Sequence, residues 1–405
     1  MSLVVAILAL EAAANESLSS DYNQTGVDDP RMLPLKDPCA NGGNYSDYEF
    51  YDDWQYKIGL IYVPVIMVGI PANIMSVLIF THRAMRRNLI NWYLAVLSAA
   101  DTMVLLNSLI NFVSPRFGEL LHAFGFVATI YTITPWLMAT GEIFRYISVY
   151  TTVGVSAHRF FGVCFPFKAS AMLTRRRVRM ILLAIVFFSI LINLPRFFEL
   201  KIYFYCWHPN INRSMPVLAP TWLRNHSTYA AIMQGWPSGM VVFVIPFVSL
   251  IIMNTMVVRE VRRTRRLHQS MQCGTEISGT RSGDAGDPEG AVSSGEHSSS
   301  KRAELAKEIS TSIMLIGVVV VFLCCNALAM TINLAERLGL NRRDSDYGEW
   351  FSRTVDVSNL LVTFNSAITF LVYCLFSDKY RLLWRYFVTG QFLKKDRDYL
   401  FSSMH

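Results

Sequence analysis

Charge is scarce in this chain. Asp, Glu, Lys and Arg make up 17% of the 405 residues, while 52% are hydrophobic. That balance excludes an ordinary soluble globular domain. Cysteine is sparse as well, with seven in the whole chain, too few for a dense disulfide scaffold. No internal repeat relates the two halves, as many transporters would show. No nucleophile–base pair, metal-ligand set or phosphate-cradling loop is assembled, so an enzyme is not expected.

What the chain has instead is long apolar runs. Seven stretches lie near Ile58–Phe80, Ile90–Phe112, Tyr131–Val163, Met180–Phe198, Met233–Val258, Ile309–Leu334 and Thr354–Phe376. Each approaches or exceeds the roughly 20 residues that a helix needs to cross a bilayer. A lipid-exposed segment must satisfy its own backbone hydrogen bonds, so each should be a helix. The expected fold class is an all-α membrane protein, a seven-transmembrane helix bundle. Asp378–Phe387 adds a short cytosolic amphipathic helix, with Tyr380, Leu383, Trp384 and Phe387 on its apolar face. Lys379, Arg381 and Arg385 would meet lipid headgroups.

Acid is missing from the first and third connections, which carry Arg83, Arg86 and Arg87, and Lys168, Arg175, Arg176, Arg177 and Arg179. The fifth opens with Arg259, Arg262, Arg263, Arg265 and Arg266. Basic short loops face the cytosol, so the net charge of +7 reports topology, and no nucleic-acid partner is expected. Residues 1–55 hold ten acids against Arg31 and Lys36, which suits the outside. All five Asn-x-Ser/Thr sites, Asn15, Asn23, Asn44, Asn212 and Asn225, fall on that side and are candidate glycosylation sites.

Residues 1–57 therefore read as an extracellular glycosylated tail, 58–376 as the membrane domain, and 377–405 as the amphipathic helix with a cytosolic tail. Gly274–Ser300, rich in Ser and Gly, marks a disordered cytosolic loop over about 267–303. Leu3–Leu10 resembles a signal peptide without a basic start, which leaves cleavage open. Topology puts Cys164 and Cys273 in the cytosol and Cys324, Cys325 and Cys374 in helices, where they serve as small packing residues. Only Cys39 and Cys206 lie outside. They most simply pair with each other; two free or intermolecular thiols are the alternative.

Ionisable groups inside a bilayer are costly and mark function. Asp101 lies within the second stretch, with Asn73, Ser148, Asn365 and Ser366 as candidate partners from three others. Such oxygens can hold a sodium ion, the one metal or cofactor expected; the plainer account is a hydrogen-bonded core acid. Arg159 ends the third stretch on the inner side, and Glu308 starts the sixth on the same side. Their pairing would make a lock of the kind switches use; alternatively Arg159 rests on lipid phosphate. Glu142 and Arg145 share a face of the third helix. Either they neutralise each other, or Glu142 accepts a ligand cation while Arg145 binds carbonyl oxygens. Arg196, Gln234, Trp236, Asn333, Glu336 and Asp356 would line the same outer mouth, with Glu199 and Arg353 near it.

At this point the chain resembles a rhodopsin-type G-protein-coupled receptor. Asn73 in Gly69-Ile70-Pro71-Ala72-Asn73, Leu97 to Asp101, His158-Arg159-Phe160, Pro246, Phe322 to Cys325, Tyr373 and Tyr380 match that family's motifs. The resemblance implies a heterotrimeric G protein as partner, and a packing trio of Val149, Pro246 and Phe322 that couples ligand to cytosol through Arg159, Glu308 and Tyr373. Departures are visible at His158, at Asn326-Ala327-Leu328, at Thr369-Phe370 and at Thr134. Thr134 stands where the family's disulfide cysteine would be, which strengthens the Cys39–Cys206 pairing.

A narrower resemblance is carried by Asn193 to Glu199, Pro220 to Asn225, Cys325 to Ala329 and Asn365 to Cys374. These segments look like invertebrate FMRFamide-type neuropeptide receptors. That implies a multi-pass plasma-membrane protein, N-terminus outside, binding a short cationic, amidated peptide. Another peptide or a small ligand is the alternative, as is a transporter or channel using Asp101 and Glu142. A retinal-binding protein is excluded by the lack of lysine in Thr354–Phe376.

Overall fold

The computed structural model describes residues 53–208, 213–233, 239–279, 316–332 and 345–390. The outer tail with Asn15, Asn23, Asn44 and Cys39 lies outside them, as do Asn212, Gln234, Trp236, Glu308, Asn333 and Glu336. The described helices are α1 (Asp53–Thr81), α2 (Ile90–Ser108), α3 (Phe124–Cys164), α4 (Arg175–Asn193), α5 (Ile245–Gly279), α6 (Ile316–Ile332), α7 (Ser345–Phe376) and α8 (Asp378–Thr389). Four segments are long and apolar enough to span a membrane by length and composition: Trp54–Thr81, Ile90–Leu120, Arg175–Phe198 and Trp350–Phe376. The apolar helix Ile316–Ile332 is described over a shorter length. The seven-helix arrangement expected from the sequence holds.

Several boundaries move. Helix α2 continues through a π turn at Leu109–Val113 and a further turn at Ser114–Leu120. Helix α3 starts at Phe124, seven residues before the expected Tyr131. Its apolar first turns explain the shift, because hydrophobicity alone does not separate a loop from the helix it leads into. Helix α5 runs on to Gly279, so residues 267–279 of the expected disordered loop are helical. The segment from Arg259 to Gln272 is dominated by good helix formers, and composition turns to Ser and Gly only beyond it.

One element escaped the all-helical reading. Leu200–His208 and Arg213–Pro220 pair as an antiparallel hairpin, β1 and β2, with an irregularity between Ile202 and Phe204. The strand run Lys201-Ile202-Tyr203-Phe204-Tyr205 is rich in aromatics, the residues a pleated surface favours. Leu200 and Leu218 at its base pack on Met138 of α3, so the hairpin sits over the outer end of the bundle. Cys206 occupies β1 opposite Met215; its expected partner lies outside the described residues.

The central helix is α3, which touches α2, α4, α5 and the hairpin. Gly69 sets the spacing of α1 against α7: a Cβ there would stand 2.8 Å from the Cβ of Ala367 and from Leu105. Around it Ile66, Leu105 and Ala367 bury together, with Tyr62 stacked on Phe112 at 5.1 Å. Helix α4 is peripheral. Val178, Leu182, Ser189 and Asn193 are buried, while Met180, Leu183, Phe187 and Leu191 are exposed on the surface that lipid would cover.

Helix α8 packs its apolar face on protein. Tyr380 and Leu383 are fully buried against α1 and α7, and Trp384 stacks on Phe370 at 5.9 Å. Arg381, expected toward headgroups, also has partners within the protein. It donates to the carbonyls of Cys374 and Leu375 at 3.2 and 3.0 Å and pairs with Asp378. Unpaired carbonyls at the C-terminus of α7 draw the guanidinium back. Cys324 is exposed rather than packed, whereas Cys325 is buried.

Candidate functional site

The outer mouth holds a chain of charges. Arg145 donates to Glu142 one turn before it on α3, the self-neutralising arrangement their spacing allows. Arg196, just beyond α4, lies within Coulombic reach of both Glu142 and Glu199 and hydrogen-bonds the Tyr146 hydroxyl. Glu199 in turn pairs with Arg224 at 3.7 Å, with both side chains under 10% exposed. It also accepts 2.7 Å from Tyr229. Burial, and then the bond to Glu199, push the Tyr229 hydroxyl up from its ordinary value. Among the described residues this chain sets three guanidiniums, Arg145, Arg196 and Arg224, against two carboxylates, Glu142 and Glu199. The Thr221 hydroxyl closes the hairpin base by donating 2.5 Å to the Phe198 carbonyl. Asp356 takes a different place. It is buried and accepts 3.2 Å from Trp54, which also stacks under Arg353.

A second cluster lies deeper. The Ser148 and Ser366 hydroxyls both donate to one oxygen of Asp101, at 2.7 and 3.0 Å. Its other oxygen is buried without a partner among the described residues, as are the side-chain oxygens of Asn73 and Ser98. Asn73 spends its amide on the carbonyls of Gly69 and Ser366, at 2.9 and 2.8 Å. Asn365 is buried at the next position. Ser148 and Ser366 thus meet Asp101 directly, and Asn73 is tied to it through the Ser366 backbone; a small cation or a water would find free oxygen ligands here.

The third group couples α3, α5 and α6. Val149 and Phe322 bury in one cluster with Phe247, Leu250 and Val319. The Phe247 ring lies 5.7 Å from that of Phe322, so the residue after Pro246 makes the contact. Pro246 acts on the backbone instead. A π turn at Met240–Val244 precedes it, and in that register the Val241 carbonyl would need the N–H that proline lacks. The Tyr150 hydroxyl supplies the bond at 2.8 Å. Further in, Asn254 donates 3.1 Å to Ser156, tying α5 to α3 near Arg159. His158 lies edge-on to Tyr93 at 5.7 Å. Tyr373 is fully buried between Phe80 and Tyr380.

Three polar residues among the positions that break the expected motifs share a solution. Thr134, Asn326 and Thr369 each bond back to the carbonyl four residues earlier, at 2.9, 2.8 and 2.8 Å. Each satisfies its polar group within its own helix.

Residues 72–373 match the family model described as the 7 transmembrane receptor (rhodopsin family). The chain belongs to that family. The receptor is 29% identical to the FMRFamide receptor of Drosophila melanogaster, over 82% of its own length and 53% of the relative. It is 26% identical to the FMRFamide peptide receptor frpr-18 of Caenorhabditis elegans, over 78% of its length and 66% of that protein. A third relative, the probable G-protein coupled receptor frpr-1 of C. elegans, is 26% identical over 82% of this chain and 78% of its own. The receptor thus spans about half the length of its fruit-fly relative.

Sequence reading missed Tyr146, Tyr150, Arg224, Tyr229, Phe247 and Asn254. All are ordinary residues whose roles arise from which helix face meets which. Asn254 alone gave a signal, as a polar residue within an apolar run.

Proposed function

We propose that this receptor binds a short, amidated, cationic neuropeptide of the Arg-Phe-amide kind and reports it to a heterotrimeric G protein. It would act at the plasma membrane with its N-terminus outside. The observation that carries the reading is similarity over about four-fifths of the chain to receptors named for FMRFamide. The ligand cation takes Glu142 in exchange for Arg145, which then turns to a peptide carbonyl. Arg196 stays as the fixed neighbour, and Gln234, Trp236, Asn333 and Glu336 complete the mouth. A Cys39–Cys206 bridge holds the tail to the hairpin, and a sodium ion at Asp101 favours the resting arrangement.

Ligand shifts the receptor only by its preference for one arrangement over the other. Movement at Phe247 and Phe322 passes through Asn254–Ser156 and separates Arg159 from Glu308, opening the basic inner face. The test is a screen of amidated peptides on cells expressing the full chain with a promiscuous G protein. Nucleotide exchange in response to an Arg-Phe-amide peptide is expected. Silence at normal surface expression overturns the reading. Glu142→Gln should lower potency about tenfold, the loss of one exposed-to-half-buried charged hydrogen bond; unchanged potency removes Glu142 from the site.

A further inference from the structure

Three asparagines in the outer halves of α2 and α7 have no role in the scheme above. Asn107 lies flat on α3, donating 2.6 Å to the Leu137 carbonyl. Gly141 makes that approach possible, since a Cβ there would stand 2.7 Å from the Asn107 oxygen. Asn111 donates 2.9 Å to that same oxygen. Four residues apart, Asn107 and Asn111 share one face of the helix, and the π turn at Leu109–Val113 does not separate them.

Helix α7 is tied to this place. Ser108 and Thr363 share a 3.1 Å hydrogen bond, and Thr363 donates 2.9 Å to the Asn359 carbonyl. The Thr363 proton is thus spent, and Ser108 is the donor between them. Helix α2 runs outward and α7 inward. One turn outward from this bond therefore lies Asn111 on one helix and Asn359 on the other. The Asn359 amide nitrogen is buried and has no hydrogen-bond partner among the described residues.

A buried, unmet amide donor costs about 1–3 kcal/mol until something accepts from it. The group that fits is a neutral acceptor, and Asn111 beside it can accept in return. A primary carboxamide offers one carbonyl oxygen and two N–H donors, the complement of this pair. A carboxylate fits badly. It has no donor for Asn111, none of Asn107, Ser108, Asn111, Asn359 or Thr363 carries a countercharge, and Asp356 lies one turn outward.

We propose that Asn107, Asn111 and Asn359 form a carboxamide-reading subsite that takes the amidated C-terminus of the ligand and discriminates against the free acid. This rests on the peptide reading above. In this subsite Asn107 is a positioning residue held by Gly141 and Leu137, while Asn111 and Asn359 touch the ligand.

The test uses the full chain in cells and one peptide, Phe-Met-Arg-Phe, made as carboxamide, methyl ester and free acid. On the unaltered receptor, the ester and the acid should each lose about tenfold to a hundredfold in potency, as expected for unmet hydrogen bonds. Asn359→Leu and Asn111→Leu, assayed at matched surface expression, should weaken the carboxamide by a similar factor and leave the acid unchanged. The three forms then converge. If the unaltered receptor responds equally to carboxamide, ester and acid, the subsite is overturned even should the variants fail to reach the surface. Parallel weakening of all forms in the variants also overturns it, since a merely structural role predicts that result. Silence to every form at normal expression overturns the peptide reading, and the subsite falls with it.

Discussion

Ser76 and Tyr380, separated by 304 positions in sequence, share a buried 2.6 Å hydrogen bond. It fixes α8 beneath α1, and burial pushes the Tyr380 hydroxyl above its ordinary value, opposed by the bond to Ser76. Tyr380→Phe keeps the ring on Phe80 and Trp384 and removes only this bond. The loss should be about 1 kcal/mol, seen as a lower melting temperature in detergent. Ser76→Ala should match it, and the double variant should cost no more than either alone.

Tyr150 closes a backbone gap that Pro246 opens. Tyr150→Phe leaves the Val241 carbonyl without its donor and should destabilise by about 1–3 kcal/mol. Thermal unfolding checks this. Tyr150→Trp, whose ring N–H can also donate, should recover part of the loss.

The Glu199–Arg224 pair sits below the hairpin at under 10% exposure. Removing one partner costs the other its nearest opposite charge in a buried site, a loss of up to about 3–5 kcal/mol that the other neighbours of each side chain reduce. Glu199→Gln and Arg224→Met should each lower surface expression sharply. Replacing both residues together should restore part of it, because the pair is removed as a unit while Arg196 keeps Glu142.

Asp101→Asn keeps the size of the side chain and removes its charge. If the unfilled oxygens at Asp101, Asn73 and Ser98 hold sodium, agonist affinity in membranes should rise when an organic cation replaces sodium, by a factor within the usual allosteric range of about 5–150. The variant should lose that dependence. An unaltered receptor indifferent to sodium would sink the assignment.

Much of this arrangement was legible in the sequence because a bilayer penalises polar groups so heavily. Asp101, Ser148, Ser366 and Asn73 could be grouped before any coordinates, since each needs a partner that lipid does not supply. The spans were readable for the same reason. The rest depended on rotation about helix axes. Two π turns, at Leu109–Val113 and Met240–Val244, each shift every later side chain around its helix, and the only sequence mark of either is a proline two residues beyond it, Pro115 or Pro246. The hairpin was hidden by its length, since apolar strands of nine and eight residues look like a continuation of the membrane segments around them. The protein partners of Arg381 were missed because its charge suggested headgroups, while the end of α7 lay nearer.

Helix α4 carries a different lesson. Its outward residues, Met180, Leu183, Phe187 and Leu191, face a medium as apolar as themselves, so exchanging one aliphatic or aromatic side chain for another there removes no packing that lipid cannot replace. Ser189 and Asn193 on the opposite face bond the Ile185 and Ser189 carbonyls, at 2.8 and 2.9 Å. Drift should therefore be one-sided along this helix. A saturation scan would find a permissive wall and an intolerant seam half a turn apart.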